Sequence, residues 1–101
     1  MPALRAVRVA AYLLAPAAFG CAPAPTADEC IALSDHYAKL LAGVNLPGAT
    51  AAEVERFQAA ARVEARRRDP GFEDCRRRVS RRALECAMRA PSVDEIERCL
   101  L

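Results

Sequence analysis

Aromatic side chains are scarce in this chain: they make up 5% of its 101 residues, and tryptophan is absent. After position 20 only Tyr37, Phe57 and Phe72 remain, and many positions on inward helix faces are alanine. Little is available to fill a large core. No Cys-x-x-Cys occurs, so neither a thiol oxidoreductase, a zinc-finger cysteine pair nor a Cys-x-x-Cys-His haem site has its spacing. The single histidine, His36, lies between Asp35 and Tyr37 and reads as a surface or half-buried side chain, not a metal ligand. There is no Ser/His/Asp order, Gly-rich phosphate loop or nucleophile elbow. A chain this small also has little room for a lined pocket. These absences argue against an enzyme and against a resident metal or cofactor. No run alternates as a strand would, no segment repeats, and no apolar run reaches the ~20 residues a membrane-crossing helix needs.

What is present begins at the N-terminus. Met1 to Arg8 carries Arg5 and Arg8 and no acid, and Val9 to Phe19 is apolar, with Pro16 inside it. Gly20 and Cys21 follow. A basic stretch, a short apolar stretch and a small-residue junction form the pattern of an export signal. Ala18-Phe19-Gly20-Cys21 resembles the lipobox of bacterial lipoproteins, whose cysteine becomes the diacylglycerol-bearing first residue of the mature chain; that family prefers Leu where this chain has Ala18. Cleavage after Ala24 or Ala17 is the alternative, the former placing Pro25 first. The expected division is a signal over 1–20, a lipidated tether over 21–25 and a folded domain over 26–101. Ala22-Pro23-Ala24-Pro25 favours an extended conformation that would hold the body off a membrane. Ala22 is not the acidic residue that retains some lipoproteins in the inner membrane, which favours the outer membrane.

The remaining residues suffice for one small domain. Thr26-Ala-Asp-Glu29, Thr50-Ala-Ala-Glu53 and Ser92-Val-Asp-Glu95 are capping boxes, and Asp69-Pro70 is a fourth helix start. Apolar spacing agrees. Cys30, Leu33, Tyr37, Leu40, Leu41 and Val44 mark the first helix, and Val54, Phe57 and Ala61 a second over about Ala51 to Arg68. Phe72, Cys75, Val79, Ala83, Cys86 and Ala90 mark a third, and Ile96, Cys99 and Leu100 a short fourth over Val93 to Leu101. The expected fold is all-α: an up-and-down bundle of four helices.

Five cysteines are an odd number for an oxidising compartment. With Cys21 lipidated, Cys30, Cys75, Cys86 and Cys99 can pair completely. On a continuous third helix, Cys75 and Cys86 would stand ~16 Å apart along the axis, too far for a disulfide. Joining Cys75 to Cys99 would demand a longer last helix. The expectation is therefore Cys30–Cys75 and Cys86–Cys99, both structural.

Nine arginines crowd positions 62 to 82 against four acids, although the chain from Cys21 onward holds thirteen bases and thirteen acids. Arg66, Arg67, Arg68, Arg76, Arg77, Arg78, Arg81 and Arg82 form a candidate anion-binding patch for lipid phosphates, acidic glycans or an acidic partner. Export argues against nucleic acid. The competing reading is a solvated face with i,i+4 pairs: Glu64/Arg68, Glu73/Arg77, Asp74/Arg78 and Glu85/Arg89.

The segment from Cys86 to Cys99, with Ala90, the Ser92 cap, Asp94 and Ile96 between, resembles the ending of a group of small bacterial envelope proteins, many of them lipoproteins with a helical four-cysteine body. The resemblance implies compartment and architecture; the family carries no assigned activity. The functional expectation is a non-catalytic structural or binding module, lipid-anchored at the bacterial envelope. The alternative is a soluble periplasmic chaperone or inhibitor using the Leu/Tyr face of the first helix.

Overall fold

A computed structural model describes residues 22–101, so the signal-like segment and Cys21 lie outside the described residues. The described chain is all-α: five α-helices and one 3₁₀ turn, without a strand. They are α1 (Ala27–Asn45), α2 (Ala51–Arg68), the turn Pro70–Phe72, α3 (Glu73–Arg78), α4 (Arg81–Arg89) and α5 (Val93–Leu100).

The caps expected at Thr26, Thr50 and Ser92 form, but only one box closes in both directions, and Asp69 does not cap the turn that follows it. The Thr26 hydroxyl accepts from the Glu29 amide while the Glu29 carboxylate accepts from the Thr26 amide, both at 3.1 Å. Thr50 and Ser92 accept from the amides of Glu53 and Glu95, each at 3.2 Å. Helix α1 ends at Leu46, where Pro47 and a positive-φ Gly48 turn the chain toward Thr50. Asp69-Pro70 starts a 3₁₀ turn rather than a long helix, because Gly71 (φ 77°) and Phe72 (φ 57°) both take left-handed conformations. Phe72 has no capping oxygen. Asp69 supplies one from a distance, its carboxylate accepting the Asp74 amide at 3.0 Å. Burial of the Phe72 ring compensates for a backbone conformation that is unfavourable for a bulky residue.

The third helix of the sequence reading is broken. Val79 is extended (φ −92°, ψ 118°), and Ser80 begins α4 by accepting the Ala83 amide at 3.0 Å. A β-branched residue followed by a strong N-cap favours this break, and it divides the expected rod into α3 and α4. The premise used to exclude Cys75–Cys86 is therefore absent, although the bridges themselves are those expected. They join Cys30 to Cys75 (Cα–Cα 6.2 Å) and Cys86 to Cys99 (Cα–Cα 5.7 Å).

The expected up-and-down bundle of four helices is also replaced, by five helices of which one stands outside the main core. The main core is Leu33, Leu84, Ala87, Ala90 and Ile96, with Tyr37, Leu40, Cys75, Val79 and Cys99 packed against it. It belongs to α1, α4 and α5. Helix α2 buries no residue fully and approaches no Cα of α4 or α5 within 8 Å. Apart from the Pro70–Phe72 turn that follows it, it packs only along α1, through half-buried Phe57 and Ala61 beside Ala38 and through polar ties to Asp35. Gln58 donates to the Asp35 carbonyl at 2.9 Å, and Arg62 grips its carboxylate at 2.7 and 3.3 Å. Helix α1 is thus a spine flanked by α2 on one side and the α4–α5 hairpin on the other. Val44, assigned inward from its spacing, is 70% exposed because neither flank extends over it.

Candidate binding surfaces

Three arrangements on this scaffold could engage another molecule: an arginine-rich end, an apolar groove and the segment that enters the body at Pro25.

The arginines converge because four elements meet at the first turn of α1. Cys75 carries α3 there through its bridge to Cys30. Arg81 carries the start of α4 there by binding Glu29 with both terminal nitrogens, one of them 2.8 Å from the carboxylate. Helix α2 runs antiparallel to α1 with Arg62 opposite Asp35, so six residues further along each, Arg68 and Glu29 come level. All eight patch residues therefore belong to one end of the molecule, but they are not alike. Arg67 and Arg68 share Glu64, and Arg77 binds Asp74 at 3.2 Å. Of the expected i,i+4 pairs only Glu64/Arg68 forms: Arg77 takes Asp74 in place of Glu73, and Arg89 donates to the Glu85 carbonyl. Arg66, Arg76, Arg78 and Arg82 are exposed and make no ion pair among the described residues.

Arg81 is a structural clamp, a role its place in a charge run does not reveal. Besides Glu29 it donates to the Pro23 carbonyl at 3.2 Å and the Ala24 carbonyl at 3.4 Å. Pro25 is fully buried. The Pro/Ala stretch is therefore strapped to the body from Pro23 onward and does not act as a free spacer. The Arg81 guanidinium, then the Thr26 amide, hold the Glu29 carboxyl at a pKa of about 2, well below the ordinary carboxylate range. Of these partners the capping motif announced only the Thr26 contact.

An apolar groove of about 290 Å³ runs between α1, α3 and the end of α5, lined by the Cys30–Cys75 bridge, Leu33, Tyr37, Phe72, Val79, Ile96 and Leu100. Tyr37 crosses its rim to donate to Glu97 at 3.2 Å, and burial followed by that carboxylate raises the phenol's pKa. His36 is half-buried and has a structural partner. Its Nε2 lies 2.9 Å from the Ala90 carbonyl, an acceptor only, so that nitrogen carries the proton and donates. This bond holds the end of α4 where Pro91 turns the chain. No cluster of three or more metal-ligating side chains occurs among the described residues, and none of their helices is long and apolar enough to cross a membrane.

No family model, curated protein or solved structure matches the chain.

Proposed function

We propose that this protein is a small non-catalytic binding module of the bacterial envelope, exported and anchored by lipid on Cys21. The observation that carries the reading is the cysteine arrangement. Four thiols are used in two bridges within the body, which suits an oxidising compartment. The fifth, Cys21, stands ahead of the body, directly after the signal-like segment. Metabolic labelling with a palmitate analogue tests it: label should enter the wild type and be lost in Cys21→Ala. Label that persists in Cys21→Ala overturns the anchor.

The apolar groove beside Tyr37 favours a second reading, a soluble periplasmic chaperone or inhibitor that captures apolar segments there. That protein would have a free mature N-terminus. The intact mass of protein isolated from the envelope separates the two, since a diacylglyceryl group on the Cys21 sulfur adds a mass that the unmodified chain lacks.

A further inference from the structure

The anchored reading can be deepened into an orientation. We propose that the arginine-rich end of the body lies flat against an anionic phospholipid surface, with Arg66, Arg76, Arg78 and Arg82 meeting the headgroups. The proposal rests on the lipidated Cys21 of the preceding section.

Three observations lead to it. The first is reach. Arg81 holds the Pro23 and Ala24 carbonyls, and Pro25 is buried, so the chain is fixed to the body two residues after Cys21. Two residues span at most ~7 Å, and the headgroup layer on each side of a bilayer is about 5–7 Å deep. A lipid on Cys21 leaves no gap between body and membrane at this end. Arg76 and Arg77 line the same surface hollow as Ala24, so they flank the exit of the strap.

The second observation is charge. Eight arginines gather here against seven acids: Asp28, Glu29, Glu64, Asp69, Glu73, Asp74 and Glu85, the last acting on Arg81 one turn away. Glu29, Glu64 and Asp74 are bound by arginines and Asp69 accepts a backbone amide. Asp28, Asp69, Glu73 and Glu85 hold no arginine, against four arginines that make no ion pair among the described residues and a fifth positive charge left where Arg67 and Arg68 share Glu64, so the end keeps a small net positive charge. The third is composition. Leu100 is 39% exposed and lies by Cys30 and Cys75 at this same end, and Leu101 follows it, fully exposed. Arginine interleaved with exposed leucine suits the boundary between headgroups and acyl chains.

The test uses mature protein isolated from the envelope, with its Cys21 mass measured first. It is placed in phosphatidylcholine nanodiscs with and without phosphatidylglycerol, with a spin label on some headgroups, and amide broadening is read by NMR. Broadening should be strongest over residues 66–68 and 75–82, weakest in the 46–50 loop, and steeper with phosphatidylglycerol. An even pattern, or one strongest at 46–50, overturns the orientation while leaving the anchor intact. Arg81→Gln should flatten the pattern while the protein stays membrane-bound. If Cys21 bears no lipid, the anchor fails, and the surface is judged alone by vesicle co-sedimentation. Binding that requires phosphatidylglycerol and falls about fivefold per arginine in Arg66/Arg76/Arg78/Arg82→Gln variants keeps it; indifference to phosphatidylglycerol overturns it. Those four side chains make no ion pairs among the described residues, so the variants should match the wild type in circular dichroism.

Discussion

Replacing Cys30 and Cys75 together by alanine should cost more stability than replacing Cys86 and Cys99. The first bridge closes a loop with a sequence separation of 45 and the second one of 13. Loop-closure entropy gives ~4 kcal/mol for the longer and ~3 kcal/mol for the shorter. Packing widens the difference. Cys30 is 2% exposed, whereas Cys86 is exposed, so the first pair also forfeits buried contacts. Topology acts the same way. The long bridge is the covalent tie between α1 and α3, whereas α4 and α5 already share the core through Leu84, Ala87 and Ile96. A domain of this size has a net stability of only about 4–12 kcal/mol. Loss of the long bridge should lower the melting temperature by roughly 15–30 °C or unfold the chain at physiological temperature. Thermal melts followed by circular dichroism, with bridges assigned by non-reducing peptide mapping, give the comparison. The reasoning fails if Cys86→Ala/Cys99→Ala is the less stable double variant, or if reductant leaves the wild-type melt unchanged.

The other expectations concern single side chains. Glu29 releases its proton more readily in the folded state than in the unfolded chain, so its contribution is complete above the ordinary carboxylate range and is lost as pH falls toward about 2. Urea midpoints measured from pH 7 to pH 2 should fall less steeply in Glu29→Gln than in the wild type. His36→Ala removes the donor from the Ala90 carbonyl and should cost about 1 kcal/mol in denaturant titration, with partial recovery in His36→Gln. Ser80→Ala removes the cap of α4 and should cost about 1 kcal/mol, while Ser80→Asp stays close to wild type because aspartate also caps.

Local chemistry was legible where one short segment decides the outcome. The hydroxyls of Thr26, Thr50 and Ser92 sit at helix starts because an unpaired amide three residues on needs an acceptor, and that need is written in four residues. The bridges were legible for a partly mistaken reason. Cys75, Val79, Ala83, Cys86 and Ala90 keep a helical rhythm straight through the break, so spacing alone hides the extended Val79. Ser80 has no glutamate three residues on to complete a box; its serine was the only signal. The inward side of α1 was read from large apolar residues. Alanines at 38 and 42 are buried as deeply, where small side chains fill close contacts, and Val44 lies beyond both flanks. The arginine end was legible as composition only. Which arginines are spent depends on acids up to 52 residues away, such as Glu29 for Arg81, and no local pattern encodes that.

The strap at Pro23 and Ala24 also orders events in time. Its partner, Arg81, lies 57 to 58 residues further along the chain. A polypeptide made N-terminus first presents Ala22 to Pro25 long before that guanidinium emerges. The strap therefore stays unfastened until α4 has been made, and the position of one arginine makes its closure a late event in folding.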